Sequence, residues 1–140
     1  MRLSVILATY NRPHYLRLSL SALLDQGGAG DYEGGVADDG SREDTRTVVE
    51  ELAAGAEAPV SHAWHEDRGF RLAAIRNLAV TKATGDYLIF MDDDCVAPSS
   101  FLRRFRSLIR DGEVVAGERV NLSEAFTREV VEGSISLGRL

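Results

Sequence analysis

The sequence predicts an α/β fold: a mostly parallel sheet with helices on both faces. Two observations carry this expectation. Short apolar runs alternate with stretches whose apolar residues fall at helical spacing. Two acidic motifs, Asp38-Asp39-Gly40-Ser41 and Asp92-Asp93-Asp94, each follow such a run, and open α/β sheets bind their ligands at strand ends.

The elements follow in order. Leu3–Ala8 is apolar and reads as the first strand. Pro13 opens a helix whose Leu16, Leu20, Leu23 and Leu24 share one face, and Gly27-Gly28-Ala29-Gly30 ends it. A weak strand is expected over Tyr32–Ala37 and a helix over Glu43–Ala54. Pro59–Trp64 reads as the third strand, and a helix is expected from about Gly69 to Ala83. Tyr87–Met91 is apolar throughout and reads as a buried parallel strand, entered through Gly85-Asp86. A helix over Pro98–Arg110, a strand at Val114–Ala116 and a last helix over Ser123–Glu132, capped by Ser123, complete the pattern.

The chain has 140 residues, which suits one domain, and 44% hydrophobic content is enough for a core. Its net charge of −6 argues against nucleic acid as a partner. Cys95 is the only cysteine, so neither an internal disulfide nor a cysteine metal cluster is available. The run at Met1–Ala8 is short and lacks a cleavage site, so it reads as a strand and not a signal peptide. No stretch is long enough to span a membrane. The location read from this is the cytoplasm, with the inner face of the membrane as the other option.

Three adjacent carboxylates repel one another, and a hard divalent cation would resolve the repulsion. A solvated acidic turn is the plainer alternative. Asp38-Asp39-Gly40-Ser41 alone would also suit an ordinary turn. In a parallel sheet both motifs point to the same edge. One carboxylate could then accept hydrogen bonds from a base or ribose while another binds a cation. Between the motifs lies His65-Glu66-Asp67-Arg68-Gly69-Phe70-Arg71, then Arg76 and Asn77. A helix beginning at Gly69 would put Arg68 and Arg71 by its first turn, suited to a phosphate. Arg71 and Arg76 sit about 140° apart on a continuous helix, so they share a ligand only if Arg71 lies in the loop. His65 is near this site, whereas His14 and His62 read as structural. Trp64 and the other aromatics read as core, not as a stacking platform. No P-loop, G-x-S-x-G or dinucleotide fingerprint occurs.

Four motifs in order resemble glycosyltransferase family 2: Ser4–Asn11, Asp38–Ser41, Gly69-Phe70-Arg71 with Arg76-Asn77, and Gly85–Asp94. Trp64–Phe70 and Ala116–Ser123 look like a bacterial branch that makes cell-surface polysaccharide. The resemblance implies a Rossmann-like GT-A fold and a nucleotide-diphosphate sugar donor, with UDP the expected carrier. By position it implies that Ala8 and Thr9 border the base, that Asp39 hydrogen-bonds it, and that Arg71 and Arg76 contact base or diphosphate. Asp92-Asp93-Asp94 matches the family's D-x-D motif. Asp92 and Asp93 would serve the donor, with Asp93 near the ribose. Asp94 would ligate Mn2+ or Mg2+. Transfer to a saccharide or glycolipid acceptor would invert the anomeric centre. Peripheral membrane association and a homo-oligomer are compatible with it.

The family's general base is an acid in the later half of the domain, and the resemblance places it beyond Leu140. Residues 1–140 are thus expected to be one GT-A-type domain stopping before the acceptor half. The other readings are a non-catalytic nucleotide-sugar-binding module and a metal-dependent nucleotidyltransferase. The latter wants a Gly-rich phosphate loop after the first strand, where Thr9-Tyr10-Asn11-Arg12-Pro13 stands instead. A receiver domain would need an acidic pair there, and none is present.

Overall fold

The computed structural model describes residues 1–134. Four strands and five helices alternate as expected: β1 (Leu3–Thr9), α1 (Pro13–Leu24), β2 (Tyr32–Asp38), α2 (Glu43–Ala54), β3 (Val60–Trp64), α3 (Leu72–Val80), β4 (Tyr87–Asp92), α4 (Phe101–Leu108) and α5 (Glu124–Val131). The strands form one parallel sheet in the order β3-β2-β1-β4. Odd-numbered residues of β1 face one side of the sheet. Leu3, Val5 and Leu7 pack there with Leu16, Leu20 and Leu23 of α1, Val48 and Val49 of α2, Ile89 and Leu102. Ile6 faces the other side, with Ala37, Ala63 and the α3 residues Ile75 and Ala79. Helices therefore cover both faces, as the 2.0 and 3.6 periodicities require.

β2 was the weak strand because Gly34 and Gly35 dilute its pattern. Packing does not demand glycine at either position: a Cβ on Gly34 would meet Leu23 Cδ2 at 3.8 Å and one on Gly35 would meet Ser61 Oγ at 3.4 Å, both ordinary van der Waals contacts. The strand is nonetheless internal, paired along its length with β1 and over its second half with β3.

Polar staples close the N-terminal edge of the sheet. The Glu33 carboxylate accepts hydrogen bonds from Ser4 Oγ (2.6 Å), Thr84 Oγ1 (2.9 Å), the Thr84 amide and the Arg2 guanidinium (3.0 Å). Arg106 of α4 donates to the carbonyls of Met1, Ala29 and Asp31. Buried Gln26 donates to the Ala22 and Pro98 carbonyls and accepts from the Leu102 amide, joining the end of α1 to the start of α4.

Four expectations are corrected. Val114–Ala116 is not a strand; Val114 is 97% exposed, and without a pairing partner an apolar triplet cannot hold strand geometry. β4 is not buried on both faces. It pairs only with β1 among the described residues, and Leu88 and Phe90, on the face that Ile6 shares, pack into neither core and are exposed; an apolar run does not show whether a helix covers both of its faces. α3 begins at Leu72 and not near Gly69, whose φ of +84° is incompatible with a helix. Trp64 is not core: it is 43% exposed and donates from Nε1 to the Ser41 carbonyl.

Candidate functional site

Parallel register brings Thr9, Asp38 and Trp64 to the same level, with Asp92 paired to Ala8. The tips of β1, β2 and β4 are then bolted together beyond the ladder. The Asp39 amide donates to the Thr9 carbonyl (3.0 Å), and the Asp93 amide donates to the Ala8 carbonyl (3.0 Å). Thr9 Oγ1 donates to Asp93 Oδ2 at 2.7 Å. Both acidic motifs thus lie at one edge, one on each side of β1. The last residues of the most buried strand form the floor between them.

The three aspartates of the triplet do not converge. Asp92 Oδ1 accepts from Arg76 at 2.8 Å, and its Oδ2 lies 3.8 Å from Arg119. Asp93 is buried, with Thr9 on one oxygen and Arg12 NH1 on the other at 3.1 Å. Asp94 is exposed; Arg12 NH1 stands 3.4 Å from its Oδ2 and the Cys95 thiol 3.5 Å from its Oδ1. Burial raises the Asp93 pKa above the usual carboxylate value, and Asp94 and Asp92 add to this, against the pull of Thr9 and Arg12. Burial also raises the Cys95 thiol pKa.

Asp38, the last residue of β2, and Asp39, the first beyond it, take different partners. Buried Asp38 accepts from the Ser41 amide (2.8 Å) and pairs with His62 Nε2 (3.0 Å). Asp39 pairs with His65 Nε2 at 2.6 Å and accepts the Arg71 amide at 2.8 Å. The loop carrying His65 and Arg71 therefore folds back onto Asp39. Gly40, with φ +96°, makes this approach possible, since a Cβ there would stand 2.6 Å from Asp67 Cα. Tyr10 closes the loop from the β1 side, donating its hydroxyl to Asp67 Oδ2 at 2.9 Å. The Gly69 amide and that hydroxyl lower the Asp67 pKa, and the Asp67 carboxylate raises that of Tyr10.

The structure brings together Ala8, Thr9, Asp39, Arg76, Asp92, Asp93 and Asp94. Arg71 sits in the loop just before α3, the position that allows it to work beside Arg76; its guanidinium reaches the Glu66 carbonyl at 2.6 Å. Arg68 instead pairs with Glu66 outside the cluster. Sequence reasoning missed Arg12 and Arg119. Arg12 carried one usable signal: it follows β1 directly, at the edge where α/β sheets collect ligands. Arg119 carried none, because it arrives from an irregular segment.

Among the described residues no three or more His, Cys, Asp or Glu side chains converge as a metal cage. Exposed Asp94 is instead a hard-oxygen donor of a single carboxylate, Asp92 being held by Arg76. That donor fits a Mg2+-type ion which takes its remaining ligands from substrate phosphates and water.

Residues 4–132 match the family described as glycosyl transferase family 2. The chain belongs to that family. It is 32% identical over 114 residues to the chondroitin synthase of Escherichia coli, covering 81% of this chain and 16% of that protein. It is 34% identical over 102 residues to the validoxylamine A glucosyltransferase of Streptomyces hygroscopicus subsp. jinggangensis, covering 72% and 24%. The chain thus spans well under half the length of these curated relatives. Among solved structures it resembles S. aureus TarS in complex with UDP-GlcNAc. There the TM-score is 0.67 at 26% identity, over 84% of this chain and 37% of that one. It also resembles the mannosyltransferase PcManGT of Pyrobaculum calidifontis in complex with GDP-Man and Mn2+, at TM-score 0.59 and 25% identity, over 70% and 29%. The α/β sheet described above is that of a family 2, GT-A-type domain.

Proposed function

We propose that this chain supplies the donor-binding site of an inverting glycosyltransferase that uses a nucleotide-diphosphate sugar, with UDP as carrier and a divalent cation at the aspartate triplet. The observation that carries the reading is the bolting of both acidic motifs to the end of β1, through Asp39 N to Thr9 O, Asp93 N to Ala8 O and Thr9 Oγ1 to Asp93. The family match and the UDP-GlcNAc complex of a structural neighbour support it. The Mn2+ complex of another supports the cation, and its GDP-Man makes the base a matter for experiment.

In this reading Thr9 and Asp39 border the nucleoside. Both Asp39 oxygens already hold the His65 ring and the Arg71 amide, so Asp39 fixes the loop as well as the base. Arg76 orients Asp92, while Arg71 and Arg76 attract the diphosphate. Asp93, anchored by Thr9, faces the ribose, and Asp94 would hold Mn2+ or Mg2+. The bound cation would act as a Lewis acid toward the departing diphosphate. The protein's own contribution is positioning: a fixed floor at Ala8 and Thr9 and carboxylates held by named arginines. The acceptor hydroxyl also needs a base, which typically supplies about 10²–10⁴-fold in rate. Glu118, Glu124, Glu129 and Glu132 are exposed, and none of them hydrogen-bonds or ion-pairs with the triplet. We assign the base to none of them.

Calorimetry with UDP, GDP and dTDP, each with Mn2+ and with chelator, tests the reading. UDP should bind best, and Asp94→Asn should remove most of the metal dependence while the circular dichroism stays unchanged. UDP affinity that is equal with Mn2+ and with chelator in the wild-type chain would refute the cation. No binding of any nucleotide would refute the donor site.

A further inference from the structure

We propose that Arg12 is a built-in counter-cation: it bridges Asp93 and Asp94 in the unliganded site, yields Asp94 to the incoming divalent cation, and turns its guanidinium to the diphosphate. This rests on the donor-site reading above.

A single nitrogen, Arg12 NH1, stands 3.1 Å from Asp93 Oδ1 and 3.4 Å from Asp94 Oδ2. The two contacts are unequal in kind as well as length. Asp93 is buried, and its other oxygen is held by Thr9 at 2.7 Å, so it cannot turn away. The Asp94 side chain is 44% exposed and has only Arg12 and a thiol for company, so it is the partner that can be exchanged.

Arg12 is placed to make the exchange. Its backbone is fixed as the residue before α1, where its carbonyl accepts the Leu16 amide, and Pro13 follows immediately. Its side chain is 43% exposed and lies over the Tyr15 ring, 4.3 Å from the centroid, which keeps the guanidinium local when a carboxylate leaves. A divalent cation and a guanidinium on the same Asp94 carboxylate repel each other, so each weakens the other there. A diphosphate reverses the balance, because the released fork suits phosphate oxygens. Cation and nucleotide should therefore bind with positive coupling, and the coupling should pass through Arg12.

The test measures Mn2+ affinity by electron paramagnetic resonance of free Mn2+, with and without UDP, in the wild-type chain and in R12Q, R12K and D94N, each checked for folding by circular dichroism. R12Q should bind Mn2+ alone about 2–5-fold tighter, the scale of one lost partly exposed competing ion pair. The gain in Mn2+ affinity on adding UDP should shrink by about the same factor. R12K, which keeps the charge but cannot fork, should fall between. If R12Q and wild type bind Mn2+ equally while D94N abolishes binding, the counter-cation role is wrong and the metal site stands. If D94N leaves Mn2+ binding unchanged, or no variant binds it, the metal reading falls and takes this proposal with it.

Discussion

At the scale of residues, Gly40 shows most clearly how the site is built. Its left-handed backbone would cost a residue with a Cβ about 1 kcal/mol or more, and that Cβ would also drive into the Asp67 backbone at 2.6 Å. Gly28 shares the left-handed conformation, φ +66°, but has open space around it. Gly28→Ala should therefore lose only about 1 kcal/mol, whereas Gly40→Ala should lose about 2–4 kcal/mol, the overpacking being added. Urea denaturation of both variants measures the difference, and equal losses would mean that Asp67 moves aside freely. The sequence showed Asp-Gly there, which also reads as a simple turn. The long-range approach of Asp67 could not be read from it, because nothing local encodes which loop comes to rest on a glycine. Arg12 was hidden for a similar reason: its partners are 81 and 82 residues away.

At the scale of elements, the sequence pattern located the five helices and four strands of the described residues, since most bury a face that the pattern displays. It could not order the strands. It also overcalled Val114–Ala116, where the apolar residues have nothing to pair with. The triplet that begins at the last residue of β4 stood out in the sequence as a candidate because carboxylates at a strand tip need partners. That the partners within the chain are three separate arginines was not. Among the elements, β2 carries a pH-sensitive joint. Glu33 lies near the sheet's N-terminal edge. Burial works against its charge, but hydrogen bonds from Ser4 and Thr84 and the charge of Arg2 outweigh it, so its pKa is lowered in the folded chain. A lowered carboxylate pKa means stability that is present above the unfolded value, 4.5, and lost as pH falls through the lower folded value. Glu33→Gln should therefore be less stable than wild type at pH 7, with the gap closing below pH 4.5. Thermal melts across pH 3–7 check this, and a gap that persists at the acid end would show that the loss is one of hydrogen-bond geometry and not of charge.

At the scale of the whole molecule, the sheet is graded. Every residue of β1 is buried and five of the seven in β2, whereas β3 and β4 are half-exposed. Native-state hydrogen exchange should find the β1 and β2 amides slowest and those of β3 and β4 faster, because each outer strand gives only one buried residue to a core, Ala63 from β3 and Ile89 from β4. Slow exchange in β4 equal to that in β1 would show that something covers its outer edge in solution. The floor of the site belongs to the slow set, since Ala8 and Thr9 end the strand that both cores enclose. No soft joint separates foundation from working surface. If the proposed donor site is right, a repacking at Val5 or Leu7 would be felt in nucleotide affinity, so tolerance to mutation in this core should be set by binding before it is set by melting. The freedom to change what is bound lies instead in the parts that rest on that floor from outside, above all the loop from His65 to Arg71, which grips it through little more than Asp39, Gly40 and Tyr10.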